Sequence, residues 1–193
     1  MAFNKEINMR IVFKIIKKWL PLAIATAGLC ALVYLTVQQS LRMGANDPQI
    51  QMAEDAASRL NAGANMESVV PSLKVEISDS LAPFVIVFDE SGKVLASSAT
   101  LHGAVPAYPA GVLDYVRQKG QDRVTWQPEA GVRMATVVAP FKNGFVMAGR
   151  SLREVENRES QVESLSGLAM LCIWTATFVV IVLGELVGRQ KSA

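Results

Sequence analysis

Two long uncharged runs bracket the chain. Trp19 to Leu41, "WLPLAIATAGLCALVYLTVQQSL", and Ser164 to Gly184, "SLSGLAMLCIWTATFVVIVLG", each reach the about 20 apolar residues that a helix needs to cross a hydrocarbon layer. Both are expected to be transmembrane helices. Between them the pattern shortens. "DPQIQMAEDAASRLNAG" predicts a helix with Asp47 as N-cap, Pro48 at its first position and Gly63 as its stop, burying Ile50, Ala53, Ala57 and Leu60 on one face. A short helical turn broken by Pro71 follows. The apolar run Phe84 to Phe88, a turn through Gly92 and a second strand from Lys93 to Ser97 predict a hairpin. A Pro- and Gly-rich loop, a helix from Val112 to Gly120 and three strands, "DRVTWQ", "GVRMATVVAP" and "GFVMAGR", complete the set. Asn143-Gly144 marks the last turn as a tight hairpin.

The expected boundaries are a basic N-terminus over 1–18, a span over 19–41 and a domain over 42–158. A stalk helix over 151–163 then enters a second span over 164–184, and a short tail covers 185–193. Ser151 and Glu154 fit a capping box, so a helix begins where the last strand ends. Glu154 can pair with Arg158 one turn on, and Leu152 and Val155 start an apolar stripe, which makes this segment the expected signal relay.

Charge orients the chain. Lys5, Arg10, Lys14, Lys17 and Lys18 precede the first span against Glu6 alone, and Arg189 and Lys191 follow the second. Basic residues stay on the cytoplasmic side, so both termini are expected inside the cell membrane and the central domain outside. Residues 42–163 hold 12 basic and 15 acidic residues, and the overall net charge of +2 hides this division. Basic ends suit anionic lipid headgroups, and without a basic patch interleaved with aromatics no nucleic-acid partner is expected. A cleaved signal peptide shares the basic-then-apolar order, but its apolar core is usually about 7 to 15 residues, and Met43 and Leu29 stand where its cleavage sites want small residues. The two cysteines, Cys30 and Cys172, both lie in the spans, so the domain is held by its core and not by disulfides.

A hairpin, a crossover helix and a three-stranded antiparallel meander between two spans are the layout of a PAS- or Cache-like module. With "ANDPQIQMAEDAASRL", "RVTWQPEAGVRMATVVAPF" and "GFVMAGRSLREVENRE", residues 45 to 187 resemble the extracytoplasmic Cache-type input domains of bacterial sensor kinases and related small membrane proteins. The fold this implies is α+β: a PAS/Cache-like five-stranded antiparallel sheet with flanking helices, inserted between two transmembrane helices. The function it implies is detection of a small molecule. Such receptors continue into a linker and an output domain, whereas only "ELVGRQKSA" follows the second span here, so action through a membrane partner is expected. The alternative expectation is a structural or assembly protein that uses the same domain as an interaction surface.

Chemistry for catalysis is sparse. The chain has one histidine, His102, and no Gly-x-Ser-x-Gly elbow, phosphate-binding glycine loop or calcium-loop spacing. The expectation is a non-enzyme without cofactor or metal. In PAS-like modules the ligand sits between the sheet and the loop and helix that cover it, which makes His102, Tyr108, Tyr115, Trp126 and Arg133 the candidate lining; an arginine among aromatics suits a carboxylate. In the spans, Ala23, Ala27 and Ala31 form a small-residue stripe and Gly184 and Gly188 a GxxxG spacing, surfaces for pairing of the two spans, for a homodimer or for another membrane protein.

Overall fold

The computed structural model of the protein describes residues 2–190. The side chains of Lys5, Glu6, Arg10 and Arg189, and all of Lys191, on which part of the expected orientation rests, lie outside the described residues. The chain divides into two compact units, one made of the residues up to Gln39 with those from Glu159 onward, the other of Ser40–Arg158.

The first unit is a pair of apolar helical segments, parts of α1 (Ala2–Asn61) and α4 (Arg153–Gln190). Both helices are long and apolar enough to cross a membrane. The pair is antiparallel, since Lys18 meets Glu185 while Ala23, further along α1, meets Trp174. Two indoles close it reciprocally: Trp19 Nε1 donates to the Trp174 carbonyl at 3.1 Å, and Trp174 Nε1 donates to the Ala23 carbonyl at 3.2 Å. The rings meet edge to face, with centroids 5.9 Å apart, and Phe178 adds a second such contact to Trp19. Of the expected small-residue surfaces, Ala23 is buried and Ala27 half-buried, but Ala31, Gly184 and Gly188 are exposed.

The second unit is an α+β domain. Five apolar-rich segments form β2 (Phe84–Asp89), β3 (Val94–Ser97), β5 (Asp122–Glu129), β6 (Val132–Phe141) and β7 (Gly144–Ser151). They form one antiparallel sheet in the order β3-β2-β7-β6-β5. Its three central strands are buried on both sides, which is why they are almost continuously apolar. One face carries Phe84, Ile86, Phe88, Met134, Val138, Phe145 and Met147 against α3 (Ala110–Lys119) and Trp126. The other carries Val85, Val87, Val137, Val146 and Ala148 against Ala53, Ala56 and Ala57 of α1, with α2 (Met66–Val69) beside them. Alanines on the helix let it lie close to the sheet. A further pair, β1 (Val75–Glu76) with β4 (Ala99–Thr100), is parallel and only two residues long.

Three details shape the sheet. Asp89 closes the β2–β3 turn by accepting from the Ser91 and Lys93 amides at 2.8 and 2.9 Å and from the Ser91 hydroxyl at 2.6 Å, and the Ser91 hydroxyl leads the bonds that hold its carboxyl below the ordinary value. Edge strand β3 is bulged opposite Val87 and Phe88, and Lys74 Nζ donates to its Ser97 carbonyl. At Gly149 there is no room for a side chain, because the Phe84 ring lies across it, 2.3 Å from where a Cβ would stand.

The helix expected to start at Asp47 does not start there: α1 runs through Asp47 and Pro48 without interruption. Proline lacks the amide for the bond to Gly44 and costs about 3 kcal/mol inside a helix; burial of the alanine face just beyond it offsets that loss. The same face carries Gln49 at 1% exposure, one turn before Ala53, with neither amide atom bonded to a protein group. An unpaired buried polar group costs about 1 to 3 kcal/mol. Gln49→Met, similar in length and without the amide, is expected to stabilise the domain by about that amount, read as a rise of several degrees in thermal midpoint. An unchanged or lower midpoint would show that the amide is satisfied in solution.

Candidate functional site

Of the five expected lining residues, the structure brings two together. Tyr108 lies beneath α3 with its ring 5.1 Å from Trp126, edge to face, and 5.9 Å from Phe88. Its hydroxyl is 2.9 Å from Thr136 Oγ1, which itself donates to the Val124 carbonyl at 2.9 Å. The threonine has one proton and gives it to the carbonyl, so Tyr108 is the donor in the pair. Burial pushes its phenol up to about 12, against the Thr136 bond. Tyr108 and Trp126 thus pack with the core cluster that also holds Leu113 and Val116 of α3.

The other three lie elsewhere. Arg133 stands between Val132 and Met134, which both enter the α3-side core, so its side chain is on the opposite face. There it pairs with Glu156 of α4. Tyr115 is on the outer side of α3, 49% exposed. His102 is exposed in the loop after β4, with Nε2 2.8 Å from Glu129 Oε2. The five residues thus fall into an aromatic pair in the core, an ion pair at the start of α4, an exposed tyrosine and a loop histidine.

His102 belongs to a cluster whose key member, Glu76, the sequence reading missed. Leu101 and Ala104 exchange backbone bonds at 2.7 and 3.1 Å around a two-residue turn, His102-Gly103, with φ of +52° and +77°. Both central residues have positive φ, which aims their amides the same way and makes a small anion-binding nest. The Glu76 carboxylate fills it, accepting from the His102 amide at 2.9 Å and the Gly103 amide at 3.3 Å. Ser78 Oγ donates to the same carboxylate at 3.0 Å. Partial desolvation pushes the Glu76 carboxyl up, but these bonds and one from Thr100 outweigh it and hold the group below its ordinary value.

The cluster continues to α4. The Glu76 carbonyl accepts from the Asp79 and Ser80 amides, folding 76–80 into a tight turn. Arg153, the first residue of α4, donates to the carbonyls of Ser78 and Asp79. The Leu152 amide donates to the Arg133 carbonyl at 2.9 Å, and Arg133 pairs with Glu156. The helix start is thus fixed on two sides, by β6 and by the 76–80 turn. The expected capping box is half-formed: Ser151 Oγ accepts from the Arg153 amide at 3.3 Å, but Ser151 itself remains in β7 opposite Met134. Glu154 instead pairs with Arg158 and, at 3.8 Å, with Arg150. Leu152 and Val155 are half-buried, as the stripe requires.

Two open clefts lie on the α1 side of the domain. One, of about 460 Å³, runs beside β3 between Lys74, Glu67, Val70 and Ala96. The other, of about 420 Å³, is bounded by Glu54, Ser58, Asn61, Gln121 and Pro140, with Gln121 Nε2 donating to Glu54 at 2.8 Å. Among the described residues no group of three or more His, Cys, Asp or Glu side chains is arranged to hold a metal ion. No family model, curated protein or solved structure matches the chain.

Proposed function

We propose that the chain is a two-pass membrane protein with both termini in the cytoplasm and a PAS- or Cache-like, non-catalytic sensor domain outside. In this reading the domain responds to a small molecule and transmits the response to a membrane partner through α4. The observation that carries it is the double anchoring of the first turn of α4, on β6 through Leu152 and the Arg133–Glu156 pair and on the 76–80 turn through Arg153. Displacing either support displaces a helix that continues in sequence into the second span, and shifts of about 1 to 2 Å are a known signalling mode for packed helices. Hairpin, crossover helix and meander support the PAS-like assignment, and the two open clefts offer room for a small solute.

A second reading, an interaction or assembly module without a ligand, is favoured by one observation: Tyr108 packs its ring on Trp126 in the core cluster and spends its hydroxyl on Thr136. Thermal unfolding of the full chain in lipid nanodiscs against amino acids, carboxylates, amines and nucleobases separates the two. A ligand at 100 times its Kd stabilises the bound fold by about 2.7 kcal/mol. For the sensor reading the expected result is a specific shift that persists in Arg153→Ala, while the accompanying movement of a spin label on α4 is lost. No shift across the panel, with crosslinking of the domain to a neighbouring membrane protein, would select the second reading.

A further inference from the structure

We propose that the His102-Gly103 turn is a proton-responsive contact whose state reaches the first turn of α4 through Glu76 and Arg153. The proposal rests on the relay reading above for its consequence in the membrane, but its first half concerns the external domain alone. Three carboxylates face the histidine: Glu129 from β5, bonded to its ring, Glu76 from β1 and Asp79 from the turn that follows β1. The charged group on the far side of that turn is Arg153, seated on the carbonyls of Ser78 and Asp79. Glu76 is shared: its side chain holds the turn amides while its carbonyl folds the segment that Arg153 grips. The turn also places a non-glycine residue at φ +52°, a conformation sparsely occupied by such residues that relies on these outside bonds.

The direction of the effect follows from the charges. The Glu129 bond, then its charge, with smaller contributions from Glu76 and Asp79, raises the His102 ring above the ordinary value of 6.5, against desolvation. A raised folded-state value means that the contact contributes fully below pH 6.5 and is lost as pH climbs through the folded value. Glu76 works oppositely: held below 4.5, its contribution is present above that pH and lost as pH falls through its folded value. Both contacts are intact in mildly acidic solution, and the ring contact alone weakens on passing to neutral and alkaline pH.

Because His102 is the chain's one histidine, its ring resonances report the titration without ambiguity. The full chain in nanodiscs, with isotope-labelled histidine, would be titrated from pH 5 to 9 while amide hydrogen exchange, corrected for intrinsic pH dependence, is followed at 101–104, 76–80 and 153–157. The expected result is a ring midpoint above 6.5 and a loss of protection in all three segments with that midpoint, by about two- to fivefold, the worth of an exposed ion pair. His102→Gln should flatten the profile, and Glu129→Gln should lower the ring midpoint. A flat profile in the natural sequence, the same profile in His102→Gln, or a change confined to 101–104 would overturn the proposal. A spin label on the apolar part of α4 distinguishes the two levels. If all three segments titrate together and the label stays still, the proton-responsive contact stands and the relay reading fails.

Discussion

Gly144→Ala is expected to destabilise the α+β domain by about 3 to 5 kcal/mol, from overpacking and backbone strain together. Gly144 has φ +152°, and a Cβ built there lies 2.0 Å from the Phe88 carbonyl oxygen and 2.9 Å from Asp89 backbone atoms. Those neighbours are the end of β2, registered opposite Phe145 and Gly144 themselves. Backbone cannot rotate aside as a side chain can, so relief requires separating β2 from β7 at the centre of the sheet. Hydrogen exchange of the full chain would read this as a loss of protection concentrated in β2 and β7. Since whole domains are stable by about 5 to 15 kcal/mol, a marked fall in the folded population is the expected accompaniment. Unchanged exchange in those strands would mean that the β6–β7 turn can be rebuilt without disturbing the pairing.

Trp126→Ala is expected to cost a similar amount, about 3 to 5 kcal/mol, as for other large aromatic side chains removed from a core. Trp126 is 4% exposed, stacks edge-on to Tyr108 and belongs to the same cluster as Phe88 and Met134. Its removal leaves a cavity beneath α3 that Tyr108, held by Thr136, is poorly placed to fill. Equilibrium unfolding monitored by the circular dichroism of the sheet is the direct measurement. A residue that merely lined a solvent-filled ligand pocket would cost about 0.5 kcal/mol or less, so the magnitude decides between structural filling and ligand lining at this position.

Most elements of the domain are legible because apolar runs, turn residues and helix faces are signals local in sequence. Phe84 to Phe88, the Asn143-Gly144 turn and the alanine face of α1 all carry such local signals. The parallel pair β1–β4 carries none: two residues are too few to show a period, and the partners are far apart in sequence. The face on which Arg133 stands is hidden for a different reason. Trp126 pairs with Met134, but Glu129 pairs with Val132, so a bulge after Trp126 changes the register by one residue. With both faces of β6 apolar, alternation alone did not reveal on which side Arg133 stands. Glu76 escaped because its role depends on a turn 26 residues away. Tyr108 and Trp126 are legible only as two of five candidate lining residues, because their ring contact and the Tyr108–Thr136 bond are tertiary contacts without a local sequence signal.

The bond from Lys74 to the Ser97 carbonyl has a consequence for the protein during its biogenesis. A sheet presents two borders whose unsatisfied amides and carbonyls can recruit a strand from another chain, the route to fibrous deposits when many copies are confined to one compartment. At the β3 border the lysine occupies an outward carbonyl with a charge that an incoming strand would have to strip of water, and the bulge around Leu95 breaks the straight run such a strand would need. The β5 border is eight residues long, but places Asp122 and Arg123 at one end and Pro128 and Glu129 at the other. The domain is thereby left with one broken border and one flanked by charge, on which copies that meet before folding is complete find little to template.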